Sequence, residues 1–190
     1  MSLSLVLQAL REPARFTVAH GGPSAGPDDP RLFGALSAAA AVGMAAFGAA
    51  LHASAGATEM VVHGAGAAGA AGVAWAATLP ALYVVGTLTG SRLDARTLVL
   101  ASLVTVSFGG LAMLASVPVL WFFELALPGP EARLVVSALS FAGVGLCMAD
   151  VFVRVMRGLG GLRLLHLAWL ALLGAVGLEL FVVTGLFDLI

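Results

Sequence analysis

Apolar and polar positions alternate on a long scale in this chain. Five apolar stretches, at about 33–53, 63–89, 97–123, 133–153 and 164–187, are parted by short connections rich in glycine, proline and charge. At about 1.5 Å per residue, roughly 20 residues cross the hydrocarbon core of a bilayer, so each stretch is long enough to span it as a helix. The breakers agree with these limits. Leu127-Pro128-Gly129-Pro130 cannot continue a helix, and Gly158, Gly160 and Gly161 punctuate the last connection. The predicted architecture is all-α: a polytopic transmembrane helical bundle of five spans, with a short amphipathic helix ahead of it.

Residues 1–30 follow another pattern. Leu3, Val6, Leu7, Leu10 and Phe16 recur at near-helical spacing beside Arg11, Glu12 and Arg15, which suits a helix lying in the membrane interface with its apolar side in the acyl boundary. Arg11 and Glu12 stand where a secretory signal would place a small-residue cleavage site, and no positive region precedes the apolar run. The run from Gly21 to Pro30 reads as a flexible linker. Two parts are therefore expected: an interfacial helix with its linker over 1–30, and a five-span domain over 31–190.

Composition strengthens the membrane reading. Hydrophobic residues make up 61% of the chain and charged residues 10%, with a mean hydropathy of +1.06. A small water-soluble globule could not hide so much apolar surface. The nine basic residues are all arginines. Arg11, Arg15 and Arg31, then Arg92 and Arg96, then Arg154, Arg157 and Arg163 occupy alternate connections, and only Arg133 falls in the other set. Short basic loops resist translocation, so this pattern predicts a cell-membrane protein with a cytoplasmic N-terminus and an external C-terminus. The alanine-rich, lysine-free composition suggests a GC-rich genome, and a bacterial inner membrane is the expected location.

Candidate chemistry is sparse. A lone cysteine, Cys147, excludes an internal disulfide and is expected to be a buried, unreactive hydrophobe. No Walker loop, His-Glu-x-x-His or Gly-x-Ser-x-Gly motif is present. A net charge of −1 with no one-sided basic patch speaks against nucleic acid. No catalytic, cofactor or metal residue can be named, and a non-enzymatic protein is expected. His52, Glu59 and His63 could meet beside the first external turn, as a proton or metal relay or simply as solvated loop ends. Asp150 and Arg154 stand four apart, the spacing of an ion pair on one helix face.

Three groups of residues bear on mechanics. Gly43 in the first span and Gly69 and Gly72 in the second are predicted to pack these two helices together, because small residues let backbones approach in lipid. Pro80 and Pro118 are candidate helix kinks. Glu179, about eight residues from the end of the fifth stretch, is the one ionisable group at depth, where a charge costs roughly 2.5–3.5 kcal/mol or more. It is expected to face the bundle interior and to stay protonated or hydrogen-bonded to hydroxyls or backbone groups of neighbouring spans, with Thr184 and Ser116 as reachable donors.

A resemblance enters at the second and third spans. The run Leu79-Pro80-Ala81-Leu82-Tyr83-Val84-Val85-Gly86-Thr87-Leu88-Thr89-Gly90-Ser91-Arg92-Leu93, the run Ala115-Ser116-Val117-Pro118-Val119-Leu120-Trp121-Phe122-Phe123, and the lead-in Leu7 to Phe16 resemble small bacterial multi-pass proteins of the Yip1-like type. The resemblance implies five spans with a cytoplasmic N-terminus and brings no catalytic residue with it. Two roles follow as expectations. One is a scaffold or subunit of a larger membrane assembly, partnered by the bilayer and by another membrane protein or a second copy. The other is a small transporter or ion-conducting subunit that uses Glu179.

Overall fold

The computed structural model describes residues 2–21, 30–88, 90, 93–127, 129–160 and 164–185. These form seven α-helices and no strand: α1 (Ser2–Arg11), α2 (Pro13–Gly21), α3 (Pro30–Leu51), α4 (Ala57–Leu88), α5 (Ala95–Ala126), α6 (Pro130–Gly158) and α7 (Leu164–Val183). Five of them, α3 to α7, are long and apolar enough to cross a membrane. The protein is an integral, multi-pass membrane protein built as an all-α bundle.

Helix limits differ from the sequence reading where polar residues still fit a helix. α4 begins six residues before the predicted start, so the first connection shrinks to a short 3-10 turn (Ala53–Ala55) and Gly56. Gly56 adopts φ +106°, a backbone region open to glycine, and this reverses the chain within a few residues. α6 continues past Val153 through Arg154 and Arg157. α5 starts where Asp94 accepts a hydrogen bond from the Thr97 amide at 3.2 Å, a side-chain cap. α4 and α5 run through Pro80 and Pro118 without stopping. Each proline removes one ladder bond, freeing the carbonyls of Ala76 and Leu114.

The spanning helices form a ring. α3 packs on α4 and on α5, α5 packs on α6, and α4 packs on α7, while α6 and α7 meet over a short seam. α5 is the best covered span, with 67% of its apolar window buried, against 17% for α6 and 22% for α7. In lipid the outer faces of α4, α6 and α7 meet acyl chains, and the exposed Cys147 on α6 is one such residue. Cys147 is therefore a surface thiol, contrary to the buried position expected of it.

The N-terminal segment differs from the sequence reading in part. It is two helices, α1 and α2, and part of their apolar side packs on protein while Leu7 and Val18 stay exposed. Val6, Ala9 and Phe16 are buried in one cluster with Leu32, Leu36, Leu100, Leu103 and Val104 of α3 and α5. α2 also presses against α6, where a Cβ built on Gly158 would stand 3.2 Å from the Ala14 Cβ. The Thr97 hydroxyl donates to the Gly21 carbonyl, tying the end of α2 to the start of α5. An amphipathic stripe fits a lipid boundary or a groove between helices, and here the groove takes Val6, Ala9 and Phe16. The predicted linker over 22–29 lies outside the described residues.

Candidate functional site

Glycine packing is where the structure departs furthest from the spacing argument. α3 and α4 do form a tight hairpin, but through Gly48 and Gly64. A Cβ on Gly48 would lie 2.6 Å from the Ala67 Cβ and 2.7 Å from the His63 carbonyl oxygen, and one on Gly64 would lie 2.9 Å from the Ala45 oxygen. Gly69 and Gly72, assigned to this contact from sequence, are exposed and make no close approach: a Cβ at either meets nothing within 4 Å, and Gly72 borders a cavity between α3 and α4. Gly43 does lie at a close crossing, but against α5: its Cβ would fall 1.9 Å from the Gly110 oxygen. Four-residue spacing marks several parallel lines on one helix, and only the rotation of the helix decides which line meets a neighbour.

Interior hydroxyls and indoles tie the helices to one another. The Ser107 hydroxyl lies 2.8 Å from the Leu36 carbonyl of α3 and 2.7 Å from that of Leu103, sharing one proton between them. Trp75 Nε1 donates to the Ser102 hydroxyl at 3.1 Å, joining α4 to α5. Trp169 Nε1 donates to the Thr78 carbonyl at 3.0 Å, joining α7 to α4. Thr78 and Thr105 donate to carbonyls of their own helices at 2.8 Å. Each bond satisfies a group that hydrocarbon would leave bare. These side chains are committed to the frame and do not line a polar path.

The polar cluster foreseen beside the first connection is assembled. His52 and His63 stack face to face, with ring centroids 3.6 Å apart and planes 5° from parallel. His63 Nε2 lies 3.3 Å from a Glu59 carboxylate oxygen. His52 Nδ1 is 3.2 Å from the Gly48 carbonyl; because a carbonyl only accepts, this nitrogen carries the proton. Ring lone pairs lie in the ring plane, so two stacked imidazoles direct theirs along parallel planes instead of toward one point. No group of three or more His, Cys, Asp or Glu among the described residues is arranged to hold a metal ion. The cluster closes the end of the α3–α4 hairpin. The Asp150–Arg154 pair is also present, exposed on α6, where such a pair adds little stability.

Glu179 is on the exposed side of α7, not in the bundle interior. The donors expected for it are used elsewhere: Thr184 donates to the Leu180 carbonyl at 2.7 Å and Ser116 to that of Ala112 at 2.9 Å. No hydrogen bond or ion pair joins Glu179 to another described residue. α7 ends at Val183, which places Glu179 one turn, about 6 Å, from the helix end, half the depth that the longer predicted span implied. Because α7 is apolar on every side, its sequence pattern could not reveal this rotation.

A feature with no signal in the sequence lies at the centre of the ring. Met44, Ala74, Val106 and Met113 of α3, α4 and α5, together with residues of α6 and α7, enclose a cavity of about 100 Å³ that has no polar side chain in its lining. Met44, Ala71 and Val106 also border a second cavity, of about 270 Å³, between α3 and α4. Neither carries an ionisable side chain. No family model, curated protein or solved structure matches the chain.

Proposed function

We propose that this membrane protein is a non-enzymatic subunit or scaffold of a larger membrane assembly, set in the cell membrane with its N-terminus in the cytoplasm. The observation that carries the reading is Glu179 on the outward face of α7. An ionisable residue within a span ordinarily faces the bundle interior or a water-filled cavity, because hydrocarbon cannot solvate it. An outward carboxylate without an internal partner is completed by a donor on a second helix, from another protein or from a second copy of this one. The exposed Gly69 on α4 is compatible with close approach of another helix. Transport finds less support, since most interior hydroxyls are bound to backbone, the buried Ser137 hydroxyl excepted, and neither cavity beside Met44 carries an ionisable side chain. Orientation is supported by Arg11, Arg15, Arg31, Arg96, Arg154 and Arg157, which lie at the helix ends on the side that carries α1 and α2, with Arg133 at the other end. The Yip1-like resemblance agrees in span number and side of the N-terminus.

The test compares wild type with Glu179→Leu and Glu179→Gln after extraction in mild detergent. Wild type is expected to migrate as a stoichiometric complex larger than the 19.1 kDa chain. Glu179→Leu should weaken association about tenfold or more, the equivalent of an intramembrane hydrogen bond of about 1–2 kcal/mol; Glu179→Gln, which keeps an acceptor, should lose less. Wild type and Glu179→Leu running identically as folded monomers would remove the subunit reading. Loss of an ion or solute flux in a folded Glu179→Gln variant would replace it with transport.

A further inference from the structure

We propose that the central cavity is a binding site for the end of a lipid acyl chain, entered sideways between α6 and α7. Two aromatic contacts hold these helices apart. Phe141 and Phe181 meet edge to face at 5.7 Å, and Phe152 and Trp169 meet at 5.1 Å. Eleven residues of α6 and twelve of α7 separate the two contacts, roughly 17 Å of helix. Between them the facing positions are Gly145, Gly174 and Gly177, where a Cβ meets nothing within 4 Å. Elsewhere in this bundle glycines at Gly43, Gly48 and Gly64 bring backbones into contact; at this seam they leave room. Gly177 is buried yet faces empty space, as expected beside a void.

The surroundings select the occupant. The cavity lies within the apolar spans of α6 and α7, whose outer faces are largely uncovered, so the medium at its mouth is hydrocarbon. Its lining is aliphatic, aromatic and thioether throughout, offering nothing to a headgroup, an ion or water. An engineered apolar cavity of about 150 Å³ stays dry and admits benzene, so a cavity of about 100 Å³ takes a short length of chain and not a whole lipid. Leaving it empty would forfeit dispersion contacts along the whole lining. Met44, Met113 and Met148 let the wall adapt to a chain that bends or carries a branch.

Trp169 reports on the cavity. It is 1% exposed and packs in one cluster with the cavity residues Ala74, Val106 and Leu173, so lipid outside the bundle does not reach it. The experiment uses full-length protein with Trp75→Phe and Trp121→Phe, reconstituted in phosphatidylglycerol–phosphatidylethanolamine vesicles with or without brominated acyl chains. Bromine quenches indole at short range, so a chain in the cavity, beside the lining residues Leu170 and Leu173 that adjoin Trp169, should lower Trp169 emission about twofold or more, and the leucine variants separate this from quenching by lipid outside the bundle. Adding Gly174→Leu and Gly177→Leu, or Gly145→Leu from the opposite wall should the first pair not fold, is expected to restore most of the emission. A companion protein keeping only Trp121, which is 62% exposed, should be quenched with and without the leucines, showing that brominated lipid reaches the protein. Equal Trp169 emission in the two vesicles, as an apolar side chain of a partner helix in the cavity would give, overturns the proposal. Quenching that the leucines leave unchanged also overturns it.

Discussion

Replacing Gly43 or Gly110 with leucine is expected to destabilise the bundle by on the order of 4 kcal/mol or more, in the range reserved for severe core disruption. At Gly43 even the first added carbon would fall 1.9 Å from the Gly110 oxygen, and at Gly110 it would fall 2.7 Å from the Cα and the oxygen of Ala40. These neighbours are backbone, so no rotamer change relieves the clash and α3 must move off α5. That movement also pulls the Leu36 carbonyl from the Ser107 hydroxyl and opens the cluster that seats α1 and α2. Alanine at Gly43 should be almost as damaging as leucine, because the first carbon already collides. Gly69→Leu and Gly72→Leu, facing open space, should be nearly neutral. Thermal unfolding of the four leucine variants in one detergent decides the matter. A Gly43→Leu protein as stable as wild type would disprove the α3–α5 crossing.

Phe16→Ala should undock the N-terminal helices. Phe16 is 2% exposed, stacks on the His20 ring at 4.2 Å, and fills the space between α3 and α5. Truncating a buried phenylalanine costs about 3–5 kcal/mol, part of it for the void left behind. The penalty falls on the docking of α1 and α2, whose contacts with the rest are few besides this one cluster and the α2–α6 face. Their backbone amides should exchange with solvent about a hundredfold faster or more, while those of α5 keep their protection. Unchanged exchange in α2 would mean that Phe16 does not anchor the segment.

What the sequence discloses about this fold follows from how far each signal reaches. Apolar length and helix breakers report local facts, and they place five spans with ends displaced by up to six residues. Alternating arginines report which connections share a side of the membrane. Contacts between helices depend on rotation and on which helices are neighbours, and neither is local. The α3–α4 hairpin was foreseen because a short turn forces it, whereas the glycines that serve it are Gly48 and Gly64. Gly43 was recognised as a packing residue and given to the wrong partner, since α5 lies beside α3 only after α4 has been passed over. Glu179 was legible as an ionisable group in a span; its outward direction was not, because α7 has no polar face to orient it. His52, Glu59 and His63 group together in the sequence because all three lie within about two helical turns of the same connection. The cavity left no trace in the pattern: a glycine that makes room and a glycine that closes a gap are the same letter.

Orientation and span number together underlie every part of the account, and reporter fusions along the full chain test both at once. Fusions at Ser91 and Gly160 should report the cytoplasm, and fusions at Ala57 and Gly129 should report the external side, as the placement of the arginines requires. An external signal at Gly160, or a cytoplasmic one at Gly129, would contradict the five-span arrangement.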